Sequence, residues 1–298
     1  MCPFLPDVAS QEGESSLAFG GQALIEGIMI RTPRHVVLCV RQSQDKILTE
    51  VQALSSPSQQ HRALRVPFLR GGFLLLETMY LGIKGLIHSA NVALEQEDEK
   101  LSNKEWALVV GLSLFIASLF FVVPFLLTSM MGLSGVVFNV VEAGVRLGIF
   151  LLYISLVSVW GEVSRIWQYH GAEHKAINAF EAGEALEVSN VRRFSRLHPR
   201  CGTSFIFAVV VIGIVLFSLM PSGDFLVRLA YRLLLIPLIA TISYELSRLS
   251  GRYRNSLVMR ILTAPGMGLQ MLTTREPDDA MIEVAIKAVT EAVNLSKA

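Results

Sequence analysis

Long uncharged apolar runs dominate the second half of the chain. Trp106 to Met131 carries no charge over 26 positions. About 20 apolar residues cross a bilayer core, so this run predicts a transmembrane helix, with Pro124 as a site for a kink. Cys201 to Gly223 is a second uncharged run, 23 residues long. Between them, Leu147–Trp160 is apolar but short. It extends upstream through Val136–Val141, across Glu142 and Arg146, which at i,i+4 can pair on one helix face. The pattern predicts one long helix from about Ser134 to beyond Gln168. A fourth span runs from Phe225 to Leu246, with Arg228 and Arg232 near its start and Glu245 near its end.

The connections sort these spans into two hairpins. The short turns at 131–134 and 221–224 carry no Lys or Arg. Arg165, Lys175, Arg192, Arg193, Arg196 and Arg200 lie between the second and third spans. Arg248, Arg252, Arg254 and Arg260 follow the fourth. Basic loops stay cytoplasmic, so both termini and a central loop over 169–200 are expected on that side. Arg146, Arg228 and Arg232 weaken the bias without reversing it.

The flanks are less apolar. Residues 1–17 read as a disordered lead-in, with no basic region and apolar stretch to make a cleavable signal peptide. Residues 18–66 contain β-type runs, such as His35–Val40 and Ile47–Val51, around turn signals at Thr32-Pro33 and Gln44-Asp45. Residues 67–104 hold an amphipathic helix over Phe68–Leu94, interfacial or packed in the cytoplasm, and a charged linker, Glu95–Lys100. Residues 251–298 form a cytoplasmic tail. There Ile282, Ala285, Ile286, Val289 and Val293 recur at helical spacing, which predicts a small docking helix. The expected fold is therefore an all-α membrane core of four transmembrane helices over 105–250. A small N-terminal α/β cytoplasmic element and a cytoplasmic C-terminal helix accompany it.

Composition agrees with a membrane protein. Of the 298 residues 52% are hydrophobic and only 17% charged, against about 25% charged in ordinary globular chains. The formal net charge of +1 excludes a strongly basic nucleic-acid binder and an acidic disordered chain. The three cysteines, Cys2, Cys39 and Cys201, build no disulfide framework. The expected partners are the lipid bilayer and a substrate of unidentified class, with a protein partner or a second copy left open.

Chemistry concentrates where the second span meets the cytoplasm. The segment reads Tyr169-His170-Gly171-Ala172-Glu173-His174-Lys175. On a helix His170 and His174 share a face, and two imidazoles at that spacing can hold one divalent ion, with zinc the expected one. Glu173 beside them is the candidate general base, and H-x-x-E-H is the inverted zincin order. Without metal, the same histidines would be interfacial hydrogen-bonding residues. A metal centre needs a further ligand, and Glu245, His198, Cys201 and Glu181 are the candidates. Glu245 can instead pair with Arg248. The basic run Arg192, Arg193, Arg196 and Arg200 sets topology and meets lipid headgroups, or forms an anion site.

Phe19-Gly20-Gly21-Gln22-Ala23-Leu24-Ile25-Glu26-Gly27-Ile28-Met29-Ile30-Arg31 resembles the opening signature of the YqhQ-like family. These are bacterial membrane proteins with a domain of unknown function, described as predicted metal-dependent enzymes. The resemblance continues in the Tyr169–Lys175 segment and in Phe194-Ser195-Arg196-Leu197-His198-Pro199-Arg200-Cys201-Gly202-Thr203-Ser204. It ends in Leu272-Thr273-Thr274-Arg275-Glu276-Pro277-Asp278-Asp279. It implies a multi-pass protein of the bacterial inner membrane with a metal-dependent activity. It also draws attention to Gln22, Glu26 and Arg31 as substrate-facing groups near the central loop, together with Arg196 and Arg200. The functional expectation is a divalent-metal-dependent, hydrolytic membrane enzyme with its site at the cytoplasmic face. A non-enzymatic assembly or insertion factor is the alternative, and a transporter the third reading.

Overall fold

The computed structural model describes residues 20–43, 45–54, 67–93, 103–199, 201–219, 225–252 and 256–297. The expected lead-in 1–17, the linker 95–100, the turn 221–224 and Arg200 lie outside them.

Four strands form one antiparallel sheet in chain order: β1 (Gly20–Leu24), β2 (Gly27–Arg31), β3 (His35–Ser43) and β4 (Lys46–Ala53). The glycine-rich opening is thus a β-hairpin. Leu24 pairs with Gly27 across a two-residue turn, and Glu26 adopts φ 51° there, a left-handed backbone uncommon for a residue other than glycine. Successive side chains in a strand point to opposite faces, and both faces of this sheet are covered. Leu24, Met29, Val36 and Leu38 pack against Leu81 and Leu86 of α1 (Pro67–Ala93). Ile28, Ile30, Val37 and Cys39 pack against α4 (Gly161–Glu181) and α9 (Asp279–Lys297). Helix α9 buries Met281, Ile282, Val284, Ala285, Ala288, Val289, Ala292 and Val293, and Asp278 Oδ1 accepts from Met281 N to start it. The expected docking helix is therefore the second cover of the sheet. Helix α1 is tied to the sheet by polar contacts: Arg31 pairs with Glu77, and His88 lies 3.1 Å from Glu50.

The remaining helices are α2 (Asn103–Ser129), α3 (Gly135–Val157), the single turn α5 (Val188–Val191), α6 (Gly202–Ser218), α7 (Phe225–Arg252) and α8 (Leu257–Thr273). Helix α6 packs on α3, α7 and α8, and α2 on α3. The sequence predicts four spans. Among the described residues two helices are long and apolar enough to cross a membrane, Gly135–Val157 and Leu229–Leu246, with a shorter apolar stretch at Phe207–Phe217. Helices also form over the other two expected spans, α2 starting at Asn103 and α6 stopping at Ser218.

Two expectations need correction. The single helix from Ser134 to beyond Gln168 is broken: α3 ends at Val157, and Trp160 is extended at φ −70°, ψ 132° before α4 begins. The break is held from outside the apolar pattern. Ser158 Oγ donates to Ile154 O and accepts from Trp167 Nε1 at 2.9 Å, and Arg275 Nη2 donates to Ser158 O at 2.6 Å. A cation on the last carbonyls of a helix suits its dipole. The tail over 251–298 also contains a second helix, α8, which packs on α6.

The Glu142–Arg146 pair forms and gains a third member. Arg232 of α7 makes a bidentate contact with the buried Glu142 carboxylate, and its guanidinium lies 4.7 Å from the Phe125 ring centre.

Candidate metal centre

Three segments far apart in sequence meet beside α4. Residues 170–174 lie on the helix itself. The loop 192–199 and Cys201 lie alongside, and residues 273–276, at the end of α8 and just beyond it, cross over it. Gly171 permits the crossing: a Cβ there would overlap the carbonyl oxygen of Arg275. Arg275 N donates to Trp167 O at 2.9 Å and Gln168 Nε2 to Glu276 O at 3.3 Å. Lys175, almost fully buried, donates to the carbonyls of Arg192 and Phe194, each at 2.9 Å, and reaches Glu276 Oε2 at 2.9 Å. Asn178 fastens the same loop through the Ser195 and Leu197 carbonyls.

These ties orient the histidines. His170 Nδ1 is 2.8 Å from Thr273 O, and His174 Nδ1 is 2.6 Å from Arg196 O. A backbone carbonyl accepts only, so each Nδ1 carries a proton, and in the neutral ring each Nε2 presents its lone pair. Metal-binding histidines are held in this way. His170 Nε2 lies 3.1 Å from Cys201 Sγ. The ring centres of His170 and His174 are 4.4 Å apart. One ligand atom from each of His170, His174 and Cys201 falls within 4.8 Å of the others. A tetrahedral zinc with bonds of roughly 2.0–2.3 Å sets its ligands roughly 3.5 Å apart, so the donors fit the ion in type and spacing. Cys201 sits at the N-cap of α6, where its sulfur accepts from Thr203 N at 3.5 Å and from Thr203 Oγ1 at 3.3 Å. Burial holds His174 below the usual histidine range, which favours the neutral imidazole a metal ligand requires.

Glu173 is buried against the sheet. A Cβ at Gly21 would overlap its Oε1, so the glycine of β1 makes room for the carboxyl. Its Oε2 is buried without a hydrogen-bond partner. Burial raises its pKa above the ordinary carboxylate range, opposed by the charges of His170 and His198.

The other candidates fall in different places. His198 is adjacent, its ring centre 5.7 Å from that of His174. Its Nε2 lies 3.5 Å from Glu181 Oε1, and its backbone is clasped by Gln270 on both sides. Neither His198 nor Glu181 belongs to the converging ligand set, and neither does Glu245, which sits on α7. Gln22 and Arg31 are on the α1 face of the sheet, opposite Gly21 and Glu173. A Cβ at Gly82 would overlap Gln22 Oε1, and Arg31 meets Glu77 and Thr78. Glu26 is a tie between hairpin and helix, accepting from Arg165 through both oxygens, at 2.5 and 2.6 Å, and from Tyr169 Oη at 3.1 Å. Arg165 holds its carboxyl below the usual range. Arg196 donates to Thr274 O.

Spacing within one helix found His170, Glu173 and His174. It missed the Thr273 and Arg196 carbonyls and the glycines Gly21 and Gly171, because backbone partners leave no residue-type signal.

A small sheet clasped between helices, joined through a His/His/Cys cluster to long apolar helices, defines the class of chain. It belongs to the family of proteins of unknown function DUF1385, whose model matches residues 66–295. It is 34% identical over 302 aligned residues, with 93% of each chain covered, to the uncharacterized protein YqhQ of Bacillus subtilis (strain 168). No solved structure matches.

Proposed function

We propose that the chain is a divalent-metal-dependent hydrolytic enzyme of the membrane, with its centre at the cytoplasmic face. The observation that carries the reading is the pair of Nδ1–carbonyl hydrogen bonds, which leave both Nε2 lone pairs converging with the Cys201 sulfur. His170, His174 and Cys201 would hold the ion, zinc by the softness of the set. An ion held there would supply Lewis acidity. Glu173 is the group that takes up and returns the proton, at the otherwise unpartnered Oε2. Burial moves its pKa upward, the direction a proton acceptor requires. The apolar burial that raises it also strengthens every charge interaction around it.

The membrane arrangement we propose is four spans, α2, α3, α6 and α7, in two hairpins with the termini inside. Cysteines introduced at Gly132 and Ala185 should be labelled from outside and from inside, respectively.

The experiment pairs two variants. Glu173→Gln is nearly isosteric and cannot act as a base. It should keep wild-type metal content and melting temperature, yet fail to complement a strain lacking the gene, since losing a general base costs about 10²–10⁴ in rate. His170→Ala should lose the metal. The scaffold reading has one observation in its favour: the polar ties of α4 also fasten Arg192, Arg196 and Thr273. It predicts a functional Glu173→Gln protein and no co-purifying metal.

A further inference from the structure

A groove of about 170 Å³ opens between α3, α6 and α8, and every residue lining it is apolar or glycine. Leu147 and Leu151 contribute from α3, Phe207 and Val210 from α6, and Gly268 and Leu272 from α8. Its α8 wall adjoins the histidine cluster. Leu272 directly precedes Thr273, whose carbonyl holds His170. Phe207 is six residues beyond Cys201, about 9 Å at 1.5 Å per helical residue. Leu151 stands at the same remove from the end of α3, where Ser158 Oγ reaches toward Leu272 O at 3.4 Å.

The lining offers water no hydrogen-bonding side chain, and an apolar cavity of about 150 Å³ stays dry and takes hydrocarbon. A helix, about 10 Å across, does not fit so narrow a slot. The walls on either side present bare apolar surface: Leu156 of α3 is 61% exposed, and Ile261 and Met271 of α8 are each 62% exposed. In the membrane arrangement proposed above, such surface beside a helix long enough to span a bilayer faces lipid, and the occupant within reach of the slot is then a lipid chain. A binding site made of an apolar slot with a few convergent polar groups at one end is the usual form of a small-molecule site.

We infer that this groove holds an acyl chain of a membrane phospholipid and presents its headgroup to His170, His174 and Cys201. The substrate class of the proposed centre is thus a phospholipid, and this assignment rests on the metal-dependent reading given above. Gly268 keeps the groove open: a Cβ there meets nothing within 4 Å. A large side chain at that position fills the slot without a clash at its root, and replacing glycine favours the helix.

The full chain is reconstituted in phosphatidylglycerol–phosphatidylethanolamine vesicles doped with one of two photoreactive phosphatidylcholines. The first carries a diazirine near the end of an acyl chain, the second a diazirine on the headgroup. After irradiation, labelled peptides are mapped by mass spectrometry and metal content is measured on the same sample. The acyl probe should label 147–151, 207–210 and 268–272 several-fold above the exposed Leu233–Leu234 face of α7. Gly268→Phe should abolish that excess while leaving the α7 label, metal content and melting temperature unchanged. Leu151→Trp is the second plug if Gly268→Phe melts early. The headgroup probe should label 170–174 or 196–201. No excess in the groove, or an excess that both plugs leave intact, overturns the inference whatever the metal content. Acyl labelling without headgroup labelling at those segments overturns the substrate assignment. Both labels with no metal would fault the metal-dependent reading and remove the substrate role with it, leaving the groove as a lipid site.

Discussion

Gly171 and Gly21 show how much of the centre depends on atoms that are missing. Gly171 lets residues 273–276 lie against α4, and that crossing carries the carbonyl that orients His170. Gly171→Ala forces a methyl into a backbone oxygen that has no rotamer to retreat to. Overpacking of this kind costs about 1–3 kcal/mol. The variant should therefore melt at lower temperature and also bind metal less tightly, as seen by competition with a chromogenic chelator. Ala172→Gly, one position along, should leave metal affinity unchanged. Glu26 gives a pH signature. Its hydrogen bonds to Arg165 depress its folded pKa below the ordinary 4.5. A carboxylate depressed on folding contributes stability that is fully present above its unfolded pKa and is lost as pH falls through the folded one. The melting temperature of the wild type should thus decline as pH drops below that ordinary value. In Glu26→Gln the decline should be shallower, and its high-pH plateau lower. At this scale the sequence was informative about side chains and silent about backbone. H-x-x-E-H marked His170, Glu173 and His174, and the H-P-R-C-G block marked His198 and Cys201 without distinguishing which turns inward. Gln22 and Arg31 were grouped with Glu26 through the family resemblance, although alternation along a strand sends Gln22 to the other face from Gly21.

Apolar periodicity recovered the elements whose burial is one-sided. Helix α9 was legible because Ile282, Ala285, Val289 and Val293 recur at the helical period, and all four are buried. Ile286 of the same pattern is only partly buried. Ile282→Ala removes a fully buried side chain from the core shared with the sheet, and such truncations cost about 2–5 kcal/mol. Urea should accordingly unfold the sheet-containing part of the variant at a lower midpoint, followed through hydrogen exchange of β2 and β3. Exchange in α7, which lies outside that core, should stay as in the wild type. Helix α8 was not legible, because Pro265, Gly266 and Gly268 punctuate it as a loop would be punctuated. It forms through its packing on α6. The break between α3 and α4 was hidden for a related reason. Apolar composition continues through Val157–Trp160, and the groups that stop the helix, Trp167 and Arg275, come from elsewhere in the chain.

On the scale of the whole molecule, the centre stands where two kinds of construction meet. On one side is a clasped sheet with a continuous buried core of β2, β3, α4 and α9. On the other are helices whose apolar side chains remain exposed, among them Leu152, Leu156, Leu233 and Leu234. Helix α4 belongs to the first and α6 to the second, and the three ligand atoms are divided between them. An ion held by His170, His174 and Cys201 would therefore also lock the sheet domain to the apolar helices. The two helices long and apolar enough to cross a membrane were readable from the apolar pattern. The third donor was not, since nothing in sequence separation favours Cys201 over Glu245. The most direct test is X-ray absorption at the zinc edge on the purified full-length protein, with metal content measured on the same sample. About one zinc per chain is expected, coordinated by two imidazole nitrogens near 2.0–2.1 Å and one sulfur near 2.3 Å, with the sulfur shell lost in Cys201→Ser. A metal-free protein that refuses added zinc, or a bound ion with no sulfur neighbour, would contradict the account.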